Sequence, residues 1–316
     1  MLTLVGKRLL VAVPILFVVT LVTFLLVDLS PGDPAALLAG DNASPERVDE
    51  VRVQLGLDQS LWERLVSYYS GLFQGDLGVS LFSGQSVGDA IAESLPATLS
   101  LTLVAFALIF LIAIPLGTLA AARRDGIADR IVSAFSSFFI GVPPFVAGLL
   151  LVIVFALTLR AFPATAYVPL SEAGPNVWLS HLVLPGLALA LPSAAEVARQ
   201  LRGALVDVLE QDYIRTQRAK GLAPLLVLSK HGLKNAAPPV LTVVGLQLGR
   251  MLGGTVIVEQ VFAMPGFGML TYNSVVQHDF PIIQGIVLVS ALAVIVANIC
   301  TDVLEFVINP RLRSAV

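Results

Sequence analysis

Six stretches of the chain are apolar over the length of a membrane crossing, and the polar residues collect between them. They run from Leu9 to Leu29, Ala97 to Ala121, Ile131 to Leu157, Trp178 to Ala198, Pro239 to Phe262 and Ile282 to Ile308. A hydrocarbon core about 30 Å thick needs roughly 20 apolar residues of helix to span it. Lipid offers no partner to backbone N–H and C=O groups, so each stretch must bond within itself as a helix. The pattern predicts an all-α polytopic membrane protein, with residues 1–316 forming one transmembrane domain of six helices. The fourth stretch is the weakest, because Pro185, Pro192 and Glu196 interrupt it. In the third, Pro143-Pro144 predicts a kink or a break.

Composition agrees with this pattern. Of 316 residues 56% are hydrophobic and 13% charged, and mean hydropathy is +0.87. Soluble domains carry roughly 25% charged residues. The deficit excludes a disordered chain, a coiled coil and a nucleic-acid binder with a basic face. The net charge of −3 says little beside the placement of the charges. Fourteen basic residues fall before the first span, between the second and third, between the fourth and fifth, or after the sixth; four fall on the other side. The positive-inside bias therefore places both termini in the cytoplasm. Cys300 is the single cysteine, which excludes an intrachain disulfide and a cysteine-built metal site. No small-residue cleavage site follows the first stretch, so it reads as a retained span.

Two loops are long enough to have roles of their own. The external one covers residues 30–96, and its Val51–Leu72 portion has helical spacing. It is either a surface helix over the bundle or a docking platform for an external partner. The cytoplasmic one covers residues 199–237. Ala204, Leu205, Val208 and Leu209 share a helical face there. Gly221 then supplies a stop, and Pro224 fits the first turn of a second helix running towards Asn235. By pattern alone this is a compact knob or an interfacial amphipathic helix facing anionic lipid.

The residues Asp212-Tyr213-Ile214-Arg215-Thr216-Gln217-Arg218-Ala219-Lys220-Gly221-Leu222, with His231 to Asn235 and Pro239, resemble a known loop. It is the cytoplasmic loop of binding-protein-dependent ABC importer permeases of the dipeptide, oligopeptide and nickel family. Further fragments resemble that family in order: Ser30-Pro31-Gly32-Asp33-Pro34, Leu55-Gly56-Leu57-Asp58, Gly75-Asp76-Leu77-Gly78 and Leu95-Pro96-Ala97-Thr98. Later come Glu259, Val261-Phe262, Pro265-Gly266-Phe267-Gly268, Asp279-Phe280-Pro281 and Asn309-Pro310-Arg311. The resemblance covers nearly the whole chain. It implies a type I importer permease bundle in which Arg215, Thr216, Gln217, Arg218, Ala219, Lys220, Gly221 and Leu222 form the element that sits in a groove of a cytoplasmic ATPase. It also implies a second homologous permease, two ATPase domains that carry ATP and Mg, and an extracytoplasmic binding protein. Gln217, Ser60, Pro224 and Gly232 depart from the family's usual residues, and the last two bear on the second helix of the loop.

No phosphate loop G-x-x-x-x-G-K-[ST] is present, so ATP hydrolysis is expected in another subunit and no catalytic residue or bound cofactor is expected here. His181, His231 and His278 have no metal-ligand spacing, and no metal is expected. Arg250 lies within the fifth span, where a charge costs at least ~2.5 kcal/mol on insertion scales. It either meets an anionic group of the substrate or pairs with an acid on a neighbouring helix or subunit. Glu259, near the external end of that span, is either a gate or a cap for the Pro265-Gly266 turn. Asp302 and Glu305 lie one turn apart and read as a proton relay or an anchor of the last helix. Gly245, Gly249, Gly253 and Gly254 predict close packing along the fifth span, within one subunit or between two.

The leading function is half of the translocation pathway for di- and oligopeptides, driven by ATP. The alternatives are a permease for nickel chelates or another small solute of the same family, or an ion-gradient-driven secondary transporter. Peptide and lipid are the expected contacts, and nucleic acid is not. An intramembrane hydrolase would need a nucleophile and base on facing spans, and the sequence offers no such pair.

Overall fold

A computed structural model of the chain describes residues 2–29, 34–40, 43–54 and 56–308. Its helices are α1 (Leu2–Leu29), α2 (Pro34–Ala39), α3 (Pro45–Gln54), α4 (Leu61–Gln74), α5 (Val87–Ala122), α6 (Ile127–Gly141) and α7 (Pro144–Leu151). They continue as α8 (Leu170–Leu209), α9 (Asp212–Ala219), α10 (Pro224–Leu226), α11 (Lys234–Val261), α12 (Phe267–Gln277) and α13 (Phe280–Ile308). Two π-helical stretches, Val152–Thr158 and Val227–Leu233, follow α7 and precede α11.

The six expected spans map onto four single helices and two bent pairs. Arg8–Val27 of α1, α5, α8 and Phe280–Val303 of α13 are each long and apolar enough to cross a bilayer. The third expected span is two helices, α6 and the segment from Pro144 to Thr158, meeting at 108°. The break falls at the proline pair, as expected: Val142 and Pro143 are both extended, with ψ of 120° and 143°. Pro143 cannot donate to a helix, and it biases the residue before it away from helical ψ. The fifth span runs from Pro224 to Val261 with a 53° bend at Leu252, next to Gly253 and Gly254.

The described residues divide into two compact units. In the first, made mostly of Pro96–Met269, the core is centred on α8. The least regular expected span is thus the most buried helix of this unit. Pro185 and Pro192 lie inside it without ending it, and its alanines at 188, 190, 194, 195 and 198 are buried. Small side chains let the α5 backbone come close: a Cβ on Gly117 would lie 2.8 Å from the Ala198 carbonyl oxygen. The helix also runs past both expected ends, to Leu209, with one break at Gly174 (φ +74°).

The second unit holds Lys7–Leu95 and Leu270–Ala293. Here the expected continuous helix over Val51–Leu72 is corrected to two helices, α3 and α4, parted by a turn in which Gly56 has φ +64°. Ser60 starts α4 with a reciprocal cap: Glu63 N–H donates to its Oγ at 3.4 Å, and its own N–H donates to Glu63 Oε2 at 3.0 Å. The Ser60 backbone sits at φ −63° and ψ 148°, angles that a proline also adopts. The helix lies against α1, with the Tyr69 ring stacked on Phe17 at 5.6 Å and its hydroxyl 3.0 Å from Thr20 Oγ1. Trp62, Val66 and Phe73 remain exposed on α4. Two fragments distant in sequence meet in this unit: Asp279 accepts from Ser80 Oγ at 2.5 Å and from Leu81 N–H at 3.4 Å, just beyond Gly75–Gly78.

Candidate functional site

The segment read as a cytoplasmic loop opens as the last turns of α8, so its first third is helix continuous with a span. After Glu210 and Gln211 comes α9, anchored by the fully buried Ile214. Asp212 in its first turn and Arg218 in its last suit the helix dipole. Arg215, Thr216, Arg218, Ala219 and Lys220 are exposed, while Gln217 and Leu222 are half-buried. Gly221 has φ +77° and donates to the Arg218 carbonyl at 3.0 Å, while Leu222 N–H reaches the Gln217 carbonyl at 3.4 Å. A Cβ on Gly221 would meet nothing within 4 Å, so glycine is needed there for its backbone alone.

Pro224 occupies the first turn of α10, as its spacing predicts. The second helix of the loop is not separate, however. α10, the Val227–Leu233 stretch and α11 run on as continuous helix as far as the bend at Leu252, so this half of the knob is one rod with the first part of the fifth span. A Cβ on Gly232 would lie 3.3 Å from Leu205 Cδ2, so the wide turn packs closely against α8 at this residue. Asn235 Nδ2 donates to the Tyr213 hydroxyl at 3.1 Å and to the His231 carbonyl at 2.7 Å, stapling α9 to the rod. A cavity of about 600 Å³ opens beside the knob, walled by Ala121, Arg124, Leu209, Arg218, Leu225 and Leu228.

Sequence reasoning missed the pair that ties α6 to α8 near this knob. Arg202 donates from Nε and Nη2 to the two oxygens of Asp129, both at 2.6 Å, and Asp125 N–H adds a third bond at 2.9 Å. Asp129 is buried, so the forked geometry carries real interaction energy. Arg124 pairs with Glu210 alongside. The residues lie 73 and 86 positions apart, and no local spacing signals them.

Towards the far end of α11, Glu259 is fully buried. Its Oε1 accepts from Thr98 Oγ1 at 2.5 Å, and its Oε2 accepts from the N–H groups of Gly268 and Met269 at 2.7 and 3.0 Å. Thr98 Oγ1 in turn accepts from Phe267 N–H at 2.8 Å. The carboxylate thus caps the first turn of α12, where unpaired N–H groups and the helix dipole favour an anion. A Cβ on Gly266 would overlap the Glu259 carboxyl, and one on Gly268 would lie 2.5 Å from Val256 Cα. Of the two readings of Glu259, cap or gate, this geometry is that of a cap.

Arg250 meets an acid on a neighbouring helix of the same chain. Its Nη1 donates to Glu196 Oε2 at 3.1 Å. The same oxygen accepts from Gln247 Nε2 at 2.6 Å, and Ser193 Oγ donates to Gln247 Oε1 at 3.2 Å. These four line a cleft of about 250 Å³ with Pro144 and Pro192. Glu196, which weakened the assignment of the fourth span, is therefore the partner of the charge in the fifth.

The glycines of the fifth span divide. A Cβ on Gly245 would overlap Thr301 of α13, and one on Gly254 would lie 3.0 Å from Leu189 of α8, whereas Gly249 and Gly253 face open space. His181 and His278 each sit beside a carbonyl of the preceding turn, Val177 and Val275. Ser30 to Asp33, Leu55, the Glu305 side chain and Asn309 to Arg311 lie outside the described residues.

Comparison with known proteins adds to this geometry. Residues 113–314 match the family described as binding-protein-dependent transport system inner membrane component, and residues 1–102 match its N-terminal companion family. A Brucella abortus (strain 2308) chain, provisionally named a peptide transport system permease protein, is 42% identical over 313 residues, 99% of each chain. The glutathione transport system permease protein of Escherichia coli (strain K12) is also 42% identical over 313 residues, again 99% of each. The structure of the MetNI methionine ABC transporter in inward-facing form superposes with a TM-score of 0.57 at 18% identity, covering 70% of this chain and 96% of that one. The likeness in structure establishes a type I importer permease fold, and the two family matches with the full-length relatives establish more: this chain belongs to the inner-membrane permease components of binding-protein-dependent ABC importers.

Proposed function

We propose that the chain forms one half of the translocation pathway of an ATP-driven importer for di- and oligopeptides, which an extracytoplasmic binding protein delivers. It works with a second, distinct permease and with two cytoplasmic ATPase domains that bind ATP and Mg. Both its termini and the knob face the cytoplasm. The observation that carries the reading is the knob itself. Arg215 to Ala219 lie on the short helix α9, Gly221 turns the chain just after it, and from Pro224 one rod runs into the fifth span as far as the bend at Leu252. A push on a rigid knob reaches the membrane helix; a flexible loop would absorb it. Gly221, Arg215 and Arg218 are thus assigned to ATPase contact, and Arg250 to the path. Full-length likeness to peptide and glutathione permeases supports the substrate class.

The test is to purify the chain with its accompanying subunits and reconstitute the complex in vesicles. Peptide-loaded binding protein should stimulate ATP hydrolysis and drive peptide uptake. Co-purification of a second permease chain, measured by intact mass, checks the heterodimer. No stimulation and no uptake with any di- or oligopeptide would overturn the peptide reading.

A further inference from the structure

The cleft that holds Ser193, Glu196, Gln247 and Arg250 contains more hydrogen-bonding capacity than its own residues use. Gln247 and Ser193 are buried, at 4% and 7% exposure, and serve Glu196 from behind. Both Gln247 and Arg250 donate to the same oxygen, Oε2. Among the described residues Glu196 Oε1 accepts no hydrogen bond, and Arg250 uses Nη1 alone. A guanidinium carries five N–H donors in a planar fork, and Arg250, which lines the cleft, gives one of them to Glu196. The Arg250 side chain is 66% exposed and that of Glu196 31%. The remaining wall is largely apolar, formed by Ile140, Pro144, Leu189 and Pro192.

Such a place suits a ligand with a carboxylate and an apolar body. We infer that this cleft is a transit site at which the Arg250 fork receives the terminal carboxylate of a peptide on its way through the membrane, with Glu196 as the positioning residue. The inference rests on the importer reading above. A lone arginine in low dielectric would hold a carboxylate too tightly to release it. Conduction requires a site favourable enough to enter and weak enough to leave. Glu196 supplies that balance by competing for the same guanidinium, while Gln247 and Ser193 keep the competing oxygen in place.

The experiment compares uptake of one peptide with a free C-terminus against its C-amidated form, each at a concentration saturating the binding protein. The ratio of the two rates is read in vesicles containing the full complex. Binding-protein preference is common to all variants and cancels when each ratio is divided by the wild-type value. Charge-assisted hydrogen bonds contribute about 1.5–3 kcal/mol each, so Arg250→Gln should lower the ratio about tenfold or more. Arg250→Lys, with a charge but no fork, should fall between. Because a single neutralisation can leave Glu196 uncompensated and unfold the site, the double variant Glu196→Gln/Arg250→Gln removes both charges and should also lose the ratio. Glu196→Gln alone should lower KM and kcat together for the free acid and neither for the amide, a split that a purely structural pair would not produce. A wild-type ratio in the double variant, with normal membrane abundance, would overturn the transit site. Absence of peptide uptake in wild type would instead defeat the importer reading itself.

Discussion

At the knob, Gly221 sits at φ +77° in open space; at the start of α12, Gly268 is helical, and a Cβ on it would lie 2.5 Å from Val256 Cα. The first glycine is required for what its backbone does, the second for what its side chain lacks. The surroundings follow the same division. Around Gly268 a buried carboxylate, a threonine and three backbone N–H groups satisfy one another. Around Gly221 the side chains of α9 are mostly exposed, and Ile214 is its buried anchor. One region is closed by its own groups, and the other leaves most of its side chains exposed. Substitution should therefore damage folding at the first and coupling at the second.

The largest effect is expected for Gly268→Ala. Overpacking a closed site costs about 1–3 kcal/mol and sometimes more, and here the clash is with backbone, which cannot rotate away. Folded yield and thermal stability in detergent should both fall sharply. A Gly268→Ala protein as stable as wild type would break the contrast. Glu259→Ala comes next, since it leaves buried donors without an acceptor at about 1–3 kcal/mol each. Gly266→Ala should be costly by itself, but its clash is with the Glu259 carboxyl. The double variant Gly266→Ala/Glu259→Ala should consequently lose less stability than the two singles added, a coupling measurable by a double-mutant cycle.

How far the sequence reveals these regions differs between them. Gly221 and Pro224 are visible because stop and start signals are local, and the structure places both where the spacing does. The Pro-Gly-Phe-Gly turn is visible for the same reason, but its capping partner Thr98 lies 161 residues from Glu259. The charge in the fifth span is legible as an anomaly, whereas its partner Glu196 reads only as a flaw in the fourth. The span that Glu196 interrupts is nevertheless the core of the first unit, because the small residues around it are buried, and hydropathy has no means of registering that. Helices do form on both sides of Gly56 within Val51 to Leu72, yet the spacing of apolar residues does not register the turn between them.

At Gly221 the damage should be graded by backbone tolerance instead of size alone. A left-handed conformation costs a residue with a Cβ roughly 1–2 kcal/mol, more for a β-branched one and less for asparagine. Gly221→Val should insert normally and lose most of the stimulation of ATP hydrolysis by loaded binding protein. Gly221→Ala should lose part of it, and Gly221→Asn little. Equal stability of all three in detergent, with that order in coupling, would sharpen the division between the two glycines. Normal coupling in a fully inserted Gly221→Val would show that the knob is not the transmitting element.

The smallest effect belongs to a helix end that uses neither a positive φ nor tight packing. Ser60 holds the start of α4 by side-chain bonding, and Glu63 returns the bond to the Ser60 hydroxyl and N–H. Those two donors hold the Glu63 carboxyl below its usual range. A carboxylate whose folded pKa is depressed stabilises above its unfolded value near 4.5, and that contribution is lost as pH falls through the folded value. Ser60→Pro keeps the backbone angles but removes both donors. Loss of an N-cap typically costs about 1 kcal/mol, so amide protection in the first turn of α4 should fall a few-fold at neutral pH. Between wild type and variant that difference should shrink as the pH drops below 4.5, because protonated Glu63 no longer completes the cap in either. Transport at neutral pH should stay near wild type, since Ser60 belongs neither to the knob nor to the residues that line the cleft around Arg250. A proline variant that abolished transport would instead make the start of α4 part of the working surface, and the docking reading of its exposed Trp62, Val66 and Phe73 would gain the support that its geometry alone does not give.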